Sequence, residues 1–475
     1  MNELFFDENA RHLYVSGPDV LSLSFSIPHP LLMAGSGFSG SGLADDGPLP
    51  IDLLYSQRMR SFYEQAQISV EAIWPGMELG PVCLFRRGGP AFLFNHPHPP
   101  ESFREIGENL FVGSQREWQL LGATQVPVEG VLTAIVDYGR EDYGSPDEVF
   151  AVLFHELHHV YQRNSIRNVA HDNPAVLLRY PEDPRNDAIK LLEHRYLYQM
   201  CFPENDTDFR NSLDLFHRCR EERKSIIGDY IEYEMTVENF EGPAFYCEYE
   251  FFKIHAKLPQ AQKEDYSHRH FFGVLTTPYY GRNRLRMRHL GSGMAFCLIL
   301  DRNSRDWKTE YYRSGMHLRD FFVKKLNPGV AILPDLTSYE AVSAYHTNRV
   351  IAARQKKYAE FGEQVGVEVV LEFAAMPDFR GFDPMHAEAI DEQTVVHPTL
   401  LRLGKGDNHL FFSGHPVVTY IVHEIWQVRK VRFFVSNAAC VISGGGLAIS
   451  IPGVDLEWTG EVVESNAKLL YFRAR

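Results

Sequence analysis

Five consecutive residues, His155-Glu156-Leu157-His158-His159, have the types and spacing that bind a metal ion and move a proton. On an α-helix, positions i and i+4 lie on one face, so the imidazoles of His155 and His159 can point at a single ion one turn apart. Glu156 follows His155 by one helical step of about 100°. That sets it beside such an ion rather than on it, where a carboxylate can take a proton from bound water as general base. His158 is offset from His159 by the same step and reads as a packed residue. The preceding Gly144-Ser145-Pro146-Asp147-Glu148 marks the start of the helix with an N-cap serine, a proline at the first helical position, two acids in the first turn and a capping-box glutamate.

A catalytic zinc takes three protein ligands and keeps one position open, so a third ligand must come from another element. Downstream, Glu234, Glu238, Glu241 and Glu248 trace one stripe along a helical stretch. Glu241 is the favoured ligand, because Gly242 permits close backbone approach and Ala244 leaves room for a partner helix. Glu238, one turn earlier, is the second choice, as ligand or as the group that orients an imidazole. Zn2+ is the expected ion, although histidine and carboxylate ligands also serve manganese, iron and cobalt.

The His155–His159 motif and Glu241-Gly242-Pro243-Ala244 together resemble the gluzincin metallopeptidases, in which an HExxH helix is followed by a helix that donates a glutamate. In aminopeptidase-like members that glutamate sits in an E-G-x-A context. The resemblance covers two short motifs in the middle third of the chain, and Pro243 and the long separation from His159 to Glu241 depart from it. It implies a zinc-bound water, Glu156 as the base, and a tyrosine or histidine that donates to the developing oxyanion. Tyr280 and His289 are the candidates for that donor, with Tyr279 beside them. The reading is a zinc-dependent hydrolase cleaving peptide or amide bonds. Its rivals are a zinc enzyme acting on a non-peptide small molecule and a non-catalytic binding protein with a structural or vestigial metal site.

The elements that must position these groups form an α+β chain. A stretch over 1–140 mixes strand-like pieces such as Val82–Phe85 and Phe92–Phe94 with one helix near Leu53–Ala72 and reads as an α/β segment. Helical periodicity dominates 141–360, with candidates at Pro146–Arg163, Asp187–Cys201, a long stretch over Asp208–Ile254, Ser292–Leu300 and Thr337–Tyr358. After Gly362 the pattern becomes short and alternating, which predicts a β-sandwich or barrel-like domain over 361–475.

Composition bounds the partners. The chain has 475 residues, 44% hydrophobic and 23% charged, with a net charge of -15, a balance that disfavours nucleic acid and anionic membrane surfaces. The one basic stretch, Arg282–His289, reads as a solvated or structural face. The Gly/Ser run Gly35–Gly42 lacks the lysine and following helix of a phosphate cradle and reads as a surface loop. The His96/His98 and His268/His270 pairs read as loop histidines. Six scattered cysteines without a CxxC pair, an acidic start and no apolar run of about 18–20 residues together point to a cytoplasmic protein with reduced thiols.

Overall fold

The computed structural model describes residues 3–7, 12–16, 25–26, 49–114, 122–165, 175–282, 284–383, 386–436, 440–443 and 445–475. The chain divides into two units, Met1–Asp45 and Asp46–Arg475. In the first, β1 (Glu3–Asp7), β2 (His12–Ser16) and β3 (Phe25–Ser26) form an antiparallel ladder. The Gly35–Gly42 run lies outside the described residues.

The second unit begins with α1 (Pro50–Ile73), which turns Tyr55, Met59, Phe62, Ala66 and Ile73 inward at helical spacing. A six-stranded sheet follows: β4 (Val82–Phe85), β5 (Pro90–Phe94), β6 (Arg104–Gly107), β7 (Leu110–Ser114), β8 (Ala123–Val128) and β9 (Val131–Asp137). Their order is β6-β7-β5-β4-β9-β8, antiparallel throughout except where β4 runs parallel to β9. Every residue of β4 is buried, as expected of a central strand covered on both faces. Among the described residues β8 pairs only with β9 and is a sheet edge.

Next come α2 (Pro146–Ser165), α3 (Ala175–Arg179), α4 (Pro184–Cys201), α5 (Asp206–Ile227), α6 (Tyr230–His255), α7 (Gln260–His270), α8 (Gly273–Thr276), α9 (Leu285–Asn303), α10 (Trp307–Ser314), α11 (Leu318–Leu326) and α12 (Thr337–Gly362). The predicted stretch over Asp208–Ile254 is two helices, broken where Gly228 takes a φ of 56°, a left-handed conformation that favours glycine. The segments on either side of residue 140 share one continuous core, in which Phe62 of α1, Val82 and Leu84 of β4, Phe154 of α2 and Phe251 of α6 belong to the same cluster. Beyond α12 the regular elements among the described residues are strands: β10 (Val367–Phe373) to β21 (Leu469–Ala474) form one twelve-stranded sheet with a core including Val369, Leu371, Phe433, Trp458 and Phe472. No helix among the described residues is long and apolar enough to cross a membrane.

Two features fix α6, the helix that carries the acid stripe. Gly242 lies directly against Gly293 of α9; a Cβ on Gly242 would stand 2.5 Å from the Gly293 Cα, and a Cβ on Gly293 would stand 2.6 Å from the Glu238 carbonyl oxygen. Any side chain at either position would force the helices apart. The second feature is a buried polar network. Arg220 of α5 donates from Nε to Glu193 of α4 and from Nη1 to Glu238 of α6, both at 3.0 Å. Arg223 donates to Glu193 Oε2 at 2.8 Å and also meets Glu234, while Lys190 reaches Glu193 at 3.2 Å. Three cations thus face three carboxylates, all buried, the condition under which charge is tolerated away from water.

Burial works against ionisation of Glu238, yet Arg220 and the adjoining His289 bring its carboxyl down to about 2. An unfolded glutamate titrates near about 4.3. Between these values the unfolded chain holds a proton that the native state lacks, so the stability contributed by Glu238 is full above the unfolded value and is lost as pH falls towards about 2. Glu238→Gln is therefore expected to lower the unfolding free energy at pH 7 by about 3–5 kcal/mol, because Arg220 loses a buried carboxylate partner. Urea titrations of both proteins should show this difference shrinking below pH 4; a gap that stays constant down to pH 2 would show that Glu238 is not ionised in the fold.

Candidate metal centre

Helix α2 begins at Pro146, as its sequence predicts, but the expected capping box is replaced by another pair of bonds. The Glu148 carboxylate folds back to accept from the Gly144 backbone N–H at 2.9 Å and the Ser145 hydroxyl at 3.1 Å. Val149, Leu153, Leu157 and Val160 bury the apolar face, which leaves His155 and His159 directed across at α6. There they meet Glu241. Ligand atoms of the three residues lie within 4.8 Å of one another, and all three residues are buried.

The triangle is tight: His155 Nε2 to His159 Nε2 is 3.1 Å, and Glu241 Oε2 is 3.5 Å from each. Tetrahedral nitrogen and oxygen ligands about 2.0–2.1 Å from a zinc ion stand roughly 3.3 Å apart, so these residues fit such an ion without rearrangement.

The outer contacts of the two imidazoles favour a proton on each Nδ1. His155 Nδ1 is 2.9 Å from Glu248 Oε2, and His159 Nδ1 is 2.7 Å from Gln162 Oε1. The Gln162 amide is itself oriented, since its Nε2 donates to the Phe240 carbonyl at 3.0 Å. These partners suit a proton on each Nδ1, which leaves each Nε2 to ligate once it is free of its own proton. Burial disfavours a charged His155, but Glu241 and Glu248 outweigh it and push the imidazole up to about 10, so without an ion its Nε2 directs a proton towards His159 and Glu241. Burial likewise opposes ionisation of Glu241, and Arg286 and the two imidazoles overcome it, holding that carboxyl well below the usual range.

Glu156 points elsewhere, as its position on the helix requires. Its carboxylate accepts from the Gln125 amide of β8. Its carboxyl is raised, first by burial and further by Glu241, against the opposing pull of His155 and His159. His158 is turned away into an aromatic cluster, edge-on to Trp74 at 4.7 Å, where burial keeps it neutral.

Other expected site residues lie apart from the triangle. Glu238 is bonded to Arg220 and accepts from the Ser292 hydroxyl at 2.6 Å, while the imidazole it was expected to orient is held by Glu248. His289 is fully buried in the same network, 3.3 Å from Lys190 and 3.7 Å from Glu238. It sits on the inner face of α9, where the charges of α4 and α6 meet. Tyr280 stacks on His346 of α12 with centroids 4.7 Å apart. Neither of these two groups touches the triad.

The groups that do surround it were weak in the sequence. Gln162 shares the face of His159 one turn on, and Glu248 was visible only as a member of the acid stripe. His270, read as a loop residue, lies at the end of α7 and meets Glu248 Oε1 at 2.9 Å, extending the chain from His155. Arg286 belongs to the basic stretch, which is no solvated patch: Arg286 donates to Glu241 Oε1, Arg282 to the Tyr180 carbonyl at 3.0 Å and Arg288 to the Gly281 carbonyl at 2.7 Å.

No protein-family model, curated protein or solved structure matches the chain.

Glu248 accepts the Nδ1 proton of His155, and loss of such an outer partner weakens metal binding by about 10- to 100-fold. Glu248→Gln should lower zinc affinity by that amount in a chelator competition on folded protein, and should also lower the unfolding midpoint of the metal-free protein, because, against the effect of burial, His155 and His270 hold the Glu248 carboxyl at about 2. Equal zinc affinity in both proteins would remove Glu248 from the metal centre.

Proposed function

We propose that this protein is a zinc-dependent hydrolase of gluzincin type, cleaving peptide or amide bonds. The observation that carries the reading is the convergence of His155 Nε2, His159 Nε2 and Glu241 Oε2 at mutual distances of 3.1–3.5 Å, with Glu156 beside them on the same helix turn. Zinc held there supplies a Lewis acid and a nucleophilic water near neutral pH.

Glu156 accepts a proton from the attacking water as the carbon–oxygen bond forms, and delivers it to the leaving nitrogen as the carbon–nitrogen bond breaks. Its raised carboxyl suits a base working near neutrality, since proton transfer is most effective when donor and acceptor are closely matched. Gln125 fixes one oxygen of that carboxylate and leaves the other for the water. Glu248 and Gln162 hold the two imidazoles in the ligating tautomer.

The sheet edge favours a peptide over a compact small molecule. Strand β8 carries Gln125 to the catalytic base, and its outer backbone N–H and C=O groups have no strand partner among the described residues. An extended peptide can pair with such an edge and be drawn past Glu156 in a defined direction.

Metal content and cleavage of a mixed peptide library should be measured for wild type, Glu156→Gln and Glu241→Ala. The reading requires about one zinc per chain in wild type and Glu156→Gln, loss of zinc in Glu241→Ala, and cleavage by wild type alone, with Glu156→Gln at least about 100-fold slower. Full activity of metal-free protein, or of Glu156→Gln, would refute it.

A further inference from the structure

Arg286 stands in the first turn of α9 and donates from Nη2 to Glu241 Oε1. The other carboxylate oxygen, Oε2, is the one placed 3.5 Å from both imidazoles. Resting on the metal reading above, we propose that Arg286 is a positioning residue that restricts Glu241 to one-oxygen ligation, so that an ion held by the triad keeps a coordination position open for substrate.

A carboxylate can grip an ion with one oxygen or two. Two-oxygen ligation by Glu241 would add a fourth protein atom beside the bound water and fill the position that an incoming substrate carbonyl needs, and catalytic zinc sites depend on that position. A charge-assisted bond from a guanidinium is among the strongest hydrogen bonds a carboxylate accepts, and it claims Oε1. Glu241 and Arg286 stand on helices held close by the Gly242–Gly293 contact, where an added Cβ would stand within 2.5–2.6 Å of the opposite backbone. Neighbouring arginines do not substitute for it. Arg288 reaches the Gly281 carbonyl at 2.7 Å and Arg282 the Tyr180 carbonyl at 3.0 Å.

An alternative role for Arg286 is charge alone: a cation beside the site that weakens its hold on a second cation. The two roles separate by coordination number. Removing a charge changes affinity and leaves the ligand set as it was; removing the hydrogen bond frees Oε1 to ligate.

Cobalt(II) reads this directly, because its visible bands weaken as four-coordinate sites become five-coordinate. The full-length protein, Arg286→Ala, Arg286→Met, Arg286→Gln and Arg286→Lys should each be loaded with Co2+ and their spectra normalised to bound ion. The metal-free unfolding midpoint serves as a check on folding, and methionine keeps the aliphatic stem should alanine destabilise the helix. The expected result is strong four-coordinate bands in wild type, Arg286→Lys and Arg286→Gln, which all keep a donor, and bands weakened by about half or more in the two donorless variants. Unchanged spectra in Arg286→Ala and Arg286→Met overturn the proposal, as does a glutamine variant that behaves like alanine, which would assign the effect to charge. A wild type that takes up no cobalt removes the metal reading and this proposal with it.

Discussion

A carboxylate taken out of water must be met by a cation, and helix α6 buries four of them along one stripe, at Glu234, Glu238, Glu241 and Glu248. The helices around it are arranged to satisfy that demand. For the N-terminal half the answer is internal: α4 and α5 send Lys190, Arg220 and Arg223 into the same space, and positive and negative groups balance. For the C-terminal half the partners are of another kind. Glu241 and Glu248 face two imidazoles, with Arg286 and His270 at the margins. There His155, pushed up to about 10, and Arg286 answer the two carboxylates, at the point where His155, His159 and Glu241 converge.

The helix arithmetic of α2 could be read without a structure because a local rule governs it. His155 and His159 at i and i+4 share a face on any α-helix, and the cap at Ser145 and Pro146 depends on neighbours in sequence. Glu241 could be chosen from the stripe because Gly242 hinted at close packing, and Gly242 does lie against Gly293. What the sequence hid are partners from distant segments. Gln125 reaches Glu156 from a strand, and Arg286 reaches Glu241 from another helix; nothing within a few residues of either announces its partner. Tyr280 and His289 illustrate the opposite error, for residue type suggested an oxyanion donor while the inner face of α9 and the stack on His346 placed them apart from the triad. Elements followed the same division. The switch from helical to alternating period after Gly362 is a local property and coincides with the end of α12. A boundary near residue 140 depends on which surfaces bury each other, and there β4, α2 and α6 share one core.

The two oxygens of Glu241 and of Glu156 obey a common logic. In each residue one oxygen is claimed by a side-chain donor, Arg286 for Glu241 and Gln125 for Glu156. The donors differ in charge, and the difference matters. A guanidinium suppresses protonation of Glu241, and the carboxyl is accordingly held low. A neutral amide beside Glu156 has a smaller effect, so burial prevails and that carboxyl is raised. The charge of the donor is thus one reason that two buried carboxylates on facing helices differ in their hold on a proton.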